Sequence, residues 1–314
     1  MEGERVDEPK VPARQRLGRI AARVVPLLLI GLLAGCGLAD APVINPKGPI
    51  ALAERNLLFN AFWIMMIVAI PVYVLAIVFT LRYRANRHGN AAYTPDWEGS
   101  NAIEAVVWAI PAVIVIILGT LVWDKTHDLD PYKPVGTGDP FRVQVVAQDW
   151  KWLFIYPELG VATVNELAFP HDRPLALEIT SDTVMNSLWI PALGGQIYAM
   201  AGMRSELHLL ASEPGEFRGR NTMYSGDGFS DQHFTARALD EADFAAWRDK
   251  VVAADTALDA RAYVELVKPS QKVPVTYYSS FEPNLFNIIL RKYAPNPGPF
   301  ESEAVAIICG GGAA

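Results

Sequence analysis

The chain has 314 residues, 51% of them hydrophobic and only 19% charged, with a formal net charge of −7. That length accommodates two or three structural units, and the apolar excess points to membrane segments. An acidic chain with no basic cluster beyond its first residues lacks the face needed to neutralise phosphates, which excludes a nucleic-acid partner.

At the N-terminus, Arg14, Arg16, Arg19 and Arg23 precede the apolar run "VVPLLLIGLLAG". The run is too short to span a bilayer comfortably and ends in small residues, the pattern of a secretory signal. "LAGC", Leu33 to Cys36, resembles the bacterial lipoprotein signal, whose cysteine becomes the lipidated first residue of the mature protein. A plain signal with an incidental cysteine is the alternative. The charged start, the apolar run and the small residues together favour lipidation of Cys36, which would anchor it at the outer leaflet. Loss of residues 1–35 leaves 21 basic against 30 acidic side chains, an exported net charge of −9. Cys309 is the other of the two cysteines, so no disulfide framework is expected; it stands in a Gly/Ala-rich tail and reads as incidental.

Two further runs, Leu58 to Leu81 and Ala105 to Trp123, are long enough to cross a bilayer and contain no ionisable residue. Each carries a mid-span proline, Pro71 or Pro111, tolerated in membrane helices where neighbours re-satisfy the freed backbone groups. Arg82, Arg84 and Arg87 follow the first run, so the positive-inside rule puts the connecting loop in the cytoplasm and both ends of the hairpin outside. Trp63, Tyr83, Trp97 and Trp123 are spaced as interfacial aromatics, with ordinary packing the equal alternative for each.

"DKTHDLDPYKPVGTGDP" then reads as a polar linker. Beyond it, short apolar runs broken by Gly, Pro, Asn and Asp predict strands. In "RPLALEITS", Leu175, Leu177 and Ile179 share one face while Glu178 and Thr180 point the other way. "EPGE", Glu213 to Glu216, reads as a hairpin turn. The expected architecture over roughly residues 139–240 is a small antiparallel sandwich. "DEADFAAWRDKVVAA" predicts an amphipathic helix through Phe244, Trp247 and Val251, and "TALDARAYVELV" a second. From about Ser270 the periodicity is weak, and a docking or flexible tail is expected.

The stretch "GRNTMYSGDGFSDQH", residues 219–233, raises the question of metal chemistry. A copper site needs thiolate and imidazole ligands on one point, and a sulfur-bridged pair needs two cysteines. The outer domain has none. Its histidines are scattered: His208 on a predicted strand, His171 and His233 in loops, His127 in the linker. "GDGFS" is no nucleophile elbow, because its serine does not stand between glycines. One carboxylate stands apart: Glu104, at the cytoplasmic mouth of the second membrane helix. It reads either as a charge complementing the helix dipole or as a proton-loading group.

"NAIEAVVWAIPAVIVI", with Glu104, Trp108 and Pro111, resembles the second-helix signature of subunit II of the haem-copper respiratory oxidases. "AQDWKWLFIYPELGVATVNELAFP" is similar to that family's tryptophan-rich strands through Trp150 and Trp152, and "MNSLWIPALGGQIYAMAGM" to the segment leading into its copper loop. The resemblance covers about residues 33–280. Set against the copper-binding members, Asn186 stands at a ligand histidine, Asn221 and Ser225 at the two cysteines, Met223 at the glutamate, Phe229 at a histidine and Gln232 at the methionine. With every ligand position replaced, the chain resembles the ubiquinol oxidase branch of cytochrome bo type, whose subunit II lacks the binuclear copper centre.

The resemblance implies a membrane-anchored α+β protein: a two-helix transmembrane hairpin, a cupredoxin-like β-sandwich, then C-terminal helices. The implied division is a signal at 1–35, an outer segment 36–54 bearing lipidated Cys36, the hairpin 55–126, a periplasmic domain 127–240, and C-terminal helices and tail 241–314. It implies a non-redox subunit of a proton-pumping oxidase of the bacterial inner membrane, with subunits I, III and IV as partners. Haems, one copper ion and the ubiquinol site belong to subunit I, this chain binding no cofactor or metal and carrying no catalytic residue. Glu104 becomes a candidate entrance to the proton pathway. Two other readings stand: a cytochrome c oxidase subunit with unorthodox copper ligands, and a tethered binding or assembly lipoprotein reusing the sandwich.

Overall fold

The computed structural model describes residues 41–83, 99–294 and 302–310. The signal, Cys36, the loop arginines Arg84 and Arg87, and Trp97 lie outside the described residues.

Helix α1 spans Pro49–Arg82 and α2 spans Asn101–Asp128, both continuous through Pro71 and Pro111. Both outrun the apolar segments that announce them. Pro49 opens α1, where its fixed φ suits a helix and its missing N–H costs nothing. α2 runs on to Asp128, so the first residues of the expected linker are helical. The chain has no breaker until Asp130, which Pro131 on its C-terminal side disfavours from helical geometry.

Eleven strands follow among the described residues: β1 Phe141–Gln148, β2 Lys151–Tyr156, β3 Val161–Val164, β4 Glu166–Pro170, β5 Leu175–Ser181, β6 Asn186–Trp189, β7 Ile197–Ala199, β8 Ser205–Leu209, β9 Gly215–Asn221, β10 His233–Leu239 and β11 Thr276–Tyr278. They form a six-stranded sheet, ordered β11-β3-β2-β1-β5-β8, and a five-stranded sheet, ordered β4-β10-β9-β6-β7. The sandwich is mixed rather than antiparallel, because β1 pairs parallel with β5 and β4 parallel with β10. "EPGE" is no hairpin: β8 lies in the first sheet and β9 in the second, so the turn carries the chain between layers. Turn residues reverse the chain without specifying that the flanking strands pair.

Helices α3 (Glu241–Val252) and α4 (Ala260–Val267) match the two predicted ones. Each is capped by an aspartate: Asp243 N–H donates to Asp240 and Ala262 N–H to Asp259, both at 2.8 Å. The segment after Ser270 is not a loose tail. It contributes β11, α5 (Leu285–Lys292) and α6 (Glu303–Gly310). Cys309 lies in α6, half-buried, rather than in a trailing coil.

These short elements build a second core. Between the sheets lie Phe141, Val143, Val145, Trp152, Phe154, Tyr156, Leu188 and Phe234. On the other side of the first sheet, Val146, Leu153 and Ile155 pack against Leu258, Tyr263, Leu285, Phe286, Ile289 and Ile308. The first sheet is therefore covered on both faces, which explains why all six residues of "KWLFIY" are buried. Leu175, Leu177 and Ile179 face the inter-sheet core as their spacing predicts, but Thr180 on the opposite face is buried too.

The outer end of α1 is fastened to the sandwich. Lys47 N–H donates to Ala192 O at 2.7 Å, Ala51 N–H to Leu193 O at 3.2 Å, and Ser212 N–H to Lys47 O at 2.9 Å. Gly48 is required there, since a Cβ would sit 2.3 Å from Leu210 O.

Candidate functional site

The second sheet brings the loop residues together. β6 and β9 pair so that Leu188 faces Asn221, and β9 and β10 so that Arg220 faces His233. The chain between β9 and β10 turns through a short 3-10 segment, Phe229–Asp231, which delivers Gln232 back beside Asn221. Asn186, Asn221 and Gln232 are all buried, at 0%, 3% and 1% exposure.

Their side chains bond to one another. Asn221 Nδ2 donates to Asn186 Oδ1 at 2.6 Å and lies 2.8 Å from Gln232 Oε1. Ser225 Oγ donates to Gln232 Oε1 at 2.8 Å, and Gln232 Nε2 donates to Asn186 Oδ1 at 3.0 Å. The cluster is tied to the backbone on all sides. Asn221 Oδ1 accepts from Ser187 N–H at 2.8 Å and Met223 N–H at 3.0 Å; Asn186 Nδ2 donates to Val184 O at 2.8 Å; Gln232 Nε2 reaches Gln148 O at 3.3 Å. Four of the six positions singled out in the sequence thus converge. Met223 and Phe229 do not join them: Met223 contributes its backbone N–H, and the Phe229 ring lies 5.7 Å from that of Tyr224.

The chemistry of this set is that of neutral amides and a hydroxyl. Such groups satisfy one another by hydrogen bonds and offer no soft, anionic donor, so they do not fit a copper pair bridged by thiolates. His233 opens β10 and is exposed; His208 is on β8 in the other sheet, His171 follows β4 and His127 ends α2. Among the described residues no group of three or more His, Cys, Asp or Glu is placed to hold a metal ion.

Trp150 is a loop-positioning residue whose contact the sequence left unread. Its backbone is left-handed, φ 63°, at the β1–β2 turn, which aims the indole under the loop. Nε1 donates to Ser225 O at 3.1 Å, and a Cβ on Gly228 would fall 2.4 Å from the ring. The glycines of "GDGFS" are therefore the floor on which the indole lies, a signal visible in the sequence once the tryptophan is known to point there. A second unread feature is Asp182, fully buried, which accepts from Tyr263 Oη at 2.6 Å, Lys292 Nζ at 2.9 Å and Tyr293 Oη at 2.9 Å. Burial and the Asp182 carboxylate push the Tyr263 hydroxyl well above its ordinary range.

Glu104 lies in the first turn of α2, exposed, where a carboxylate complements the helix dipole. Cys309 is placed by packing rather than chemistry: Sγ lies 3.9 Å from Ile288 O, and burial raises its thiol pKa.

The family model of the COX Aromatic Rich Motif matches residues 253–296. The cytochrome bo(3) ubiquinol oxidase subunit 2 of Pseudomonas aeruginosa is 52% identical over 271 residues, 86% of this chain and 80% of that protein. The chain belongs to the ubiquinol oxidase subunit 2 family. The ubiquinol oxidase subunit 2 of Acetobacter aceti is 46% identical over 265 residues, covering 83% and 85% of the two chains. A solved structure, the periplasmic domain of subunit II of cytochrome oxidase (CoxB) of Bradyrhizobium japonicum, aligns with a TM-score of 0.35 at 20% identity, over 37% of this chain and 96% of that one.

The aromatic-rich segment is part of the fold's second core. Tyr263 and Tyr293, both within it, hold Asp182 at the end of β5, and Ser181 beside it lies 3.4 Å from Asn186 Nδ2. The amide cluster and the aromatic segment are thus two ends of one hydrogen-bonded strand turn. Among the described residues two helices, α1 and α2, are long and apolar enough to cross a membrane.

Proposed function

We propose that this chain is the non-redox subunit II of a proton-pumping terminal oxidase that takes electrons from ubiquinol and reduces oxygen to water. One observation carries the reading: Asn186, Asn221, Ser225 and Gln232 close on each other through neutral hydrogen bonds. A soluble one-electron donor arriving from outside needs a redox relay on the outer domain. Ubiquinol is lipid-soluble and reaches a catalytic subunit within the bilayer, so the relay is dispensable. The relatives named cytochrome bo(3) and ubiquinol oxidase subunit 2 support the same donor.

On this reading the haems, one copper ion and the quinol site sit in subunit I, and this chain packs its hairpin against that subunit, with subunits III and IV completing the complex. Asn186, Asn221, Met223, Ser225, Phe229 and Gln232 stand at the positions that carry ligands in copper-binding relatives. The mature chain begins at lipidated Cys36 in the inner membrane, the hairpin at 55–126 crosses twice, and the domain at 127–240 is periplasmic. Glu104 opens the proton pathway from the cytoplasmic side; its place at the start of α2 supports that role. The test is to purify the intact complex and compare donors. Quinol should drive oxygen reduction; turnover with reduced cytochrome c alone, or a stoichiometric pair of coppers on this subunit, would overturn the reading.

A further inference from the structure

Between α1 and α2, on the side of the hairpin nearest the sandwich, lies an open groove of about 440 Å³. Its lining is graded along the helices. Asn60 and Asp124 stand at its outer end, Trp63, Ile64, Thr120 and Leu121 in the middle, and Ile117 at the inner end. Asp124 is exposed and makes no ion pair among the described residues, and no cation lines the groove; neighbouring Lys125 is engaged with Asp128 at 2.9 Å. Thr120 spends its hydroxyl on Ile117 O at 2.9 Å, whereas the Asn60 amide makes no hydrogen bond among the described residues. Trp63 is 63% exposed.

We propose that this groove seats an ammonium-bearing phospholipid of the outer leaflet. The lining passes from Asn60 and Asp124 at the outer end to Ile117 about two turns deeper on α2, the order of a headgroup followed by an acyl chain. The unpaired carboxylate selects the charge. A phosphate-only or glycerol headgroup brings no counter-ion to Asp124, whereas a primary ammonium brings one together with three N–H donors. Trp63 adds an aromatic face, which attracts a cation most strongly where water is scarce. The Asn60 carbonyl accepts a further N–H, and its NH₂ is free to donate to the phosphodiester. A quinol hydroxyl could also donate to Asp124, but it carries no positive charge for the carboxylate and indole together to recognise.

The inference rests on the hairpin crossing the bilayer with its ends outside, and the experiment separates the two. The intact oxidase is placed in nanodiscs containing photoactivatable phosphatidylethanolamine or photoactivatable phosphatidylglycerol, and cross-links are mapped by mass spectrometry. Phosphatidylethanolamine should label residues 60–64 and 117–124 about tenfold more than phosphatidylglycerol, equivalent to about 1.4 kcal/mol. Asp124→Asn should erase that preference and Trp63→Leu reduce it. Equal labelling by both lipids, an unchanged preference in Asp124→Asn, or loss of label on adding ubiquinol overturns the ammonium seat. Labelling elsewhere on the helices with none in the groove assigns the groove to a partner subunit's helix. Absence of label from both helices overturns the lipid seat; release of the Cys36→Ser chain from membranes by alkaline wash would overturn the hairpin itself.

Discussion

Replacing Asn221 by alanine tests whether the amide cluster is structural. Its Oδ1 accepts from two backbone N–H groups, Ser187 and Met223, and its Nδ2 bonds Asn186 and Gln232. Asn186 and Gln232 keep each other through the 3.0 Å bond, and Gln232 keeps Ser225, so the lasting loss falls on the two backbone donors. A buried donor left without an acceptor costs about 1–3 kcal/mol. Ser187 is buried and Met223 only half-buried, where water can replace the acceptor in part. Asn221→Ala should therefore cost about 2–4 kcal/mol locally. Hydrogen–deuterium exchange of the purified complex reads this directly: peptides covering β6 and the 219–233 loop should exchange at least about thirtyfold faster, since 1.4 kcal/mol is a factor of ten. Quinol-driven turnover should persist at temperatures where the fold holds. Unchanged exchange would show that the bonds do not hold the loop, and loss of turnover with the fold and haem spectrum intact would show that the cluster takes part in the reaction.

Asp182→Asn leaves the Lys292 ammonium without its counter-charge in a mostly buried site, and should lower stability by about 3–5 kcal/mol; pairing it with Lys292→Met should recover most of that in thermal unfolding, and a cost below about 1 kcal/mol would reduce the pair to a surface contact. Alkaline stability should be non-monotonic. Burial lowers Lys151 to about 8, while Tyr277, half-buried and donating to Glu166, is pushed up to about 12. The native state releases the Lys151 proton before the unfolded chain does, so stability rises with pH from about 8 towards the ordinary lysine value; above about 10 the unfolded chain ionises tyrosines that the native fold keeps protonated, and stability falls. Denaturation midpoints between pH 7 and 11 that decline steadily would contradict this, and Lys151→Met should flatten the rise. Glu104→Ala should slow proton uptake or oxygen reduction without loss of haem; unchanged turnover across pH would leave the carboxylate as a helix-end charge. Cys36→Ser should block acylation and signal processing yet leave the chain in the membrane fraction, and recovery in the soluble fraction would contradict the hairpin.

The membrane helices were legible because a long apolar run has few alternatives, and α3 and α4 because Asp240 and Asp259 mark their starts. Pairing was not. Alternation identifies a strand but not its neighbour, so the parallel β1–β5 and β4–β10 pairs escaped, and "EPGE" looked like a hairpin while joining two layers. The second core was hidden for another reason. α5 has only eight residues, of which Leu285, Phe286, Ile288 and Ile289 are buried, too short a window for helical periodicity to stand out. The four converging positions could be named only through the resemblance to copper-binding members, and that they bond to one another depended on register; Trp150 depended on a left-handed backbone that no pattern announces.

The polar character of the cluster has a physical reason. The loop leaves β9 at Asn221 and returns to β10 at His233, so its inner wall exposes Ser187 N–H, Met223 N–H, Val184 O and Gln148 O. Apolar residues at 186, 221 and 232 would fill the space but leave these backbone groups unpaired in a buried site, at a cost several times the gain from a few buried methylenes. Amides carry a donor and an acceptor on one short planar group, so three of them and a serine can serve the backbone and one another at once. The same closure decides what the site can do. Its neutral donors and acceptors are committed to internal bonds, so the loop braces β6, β9 and β10, as the proposed non-redox role requires.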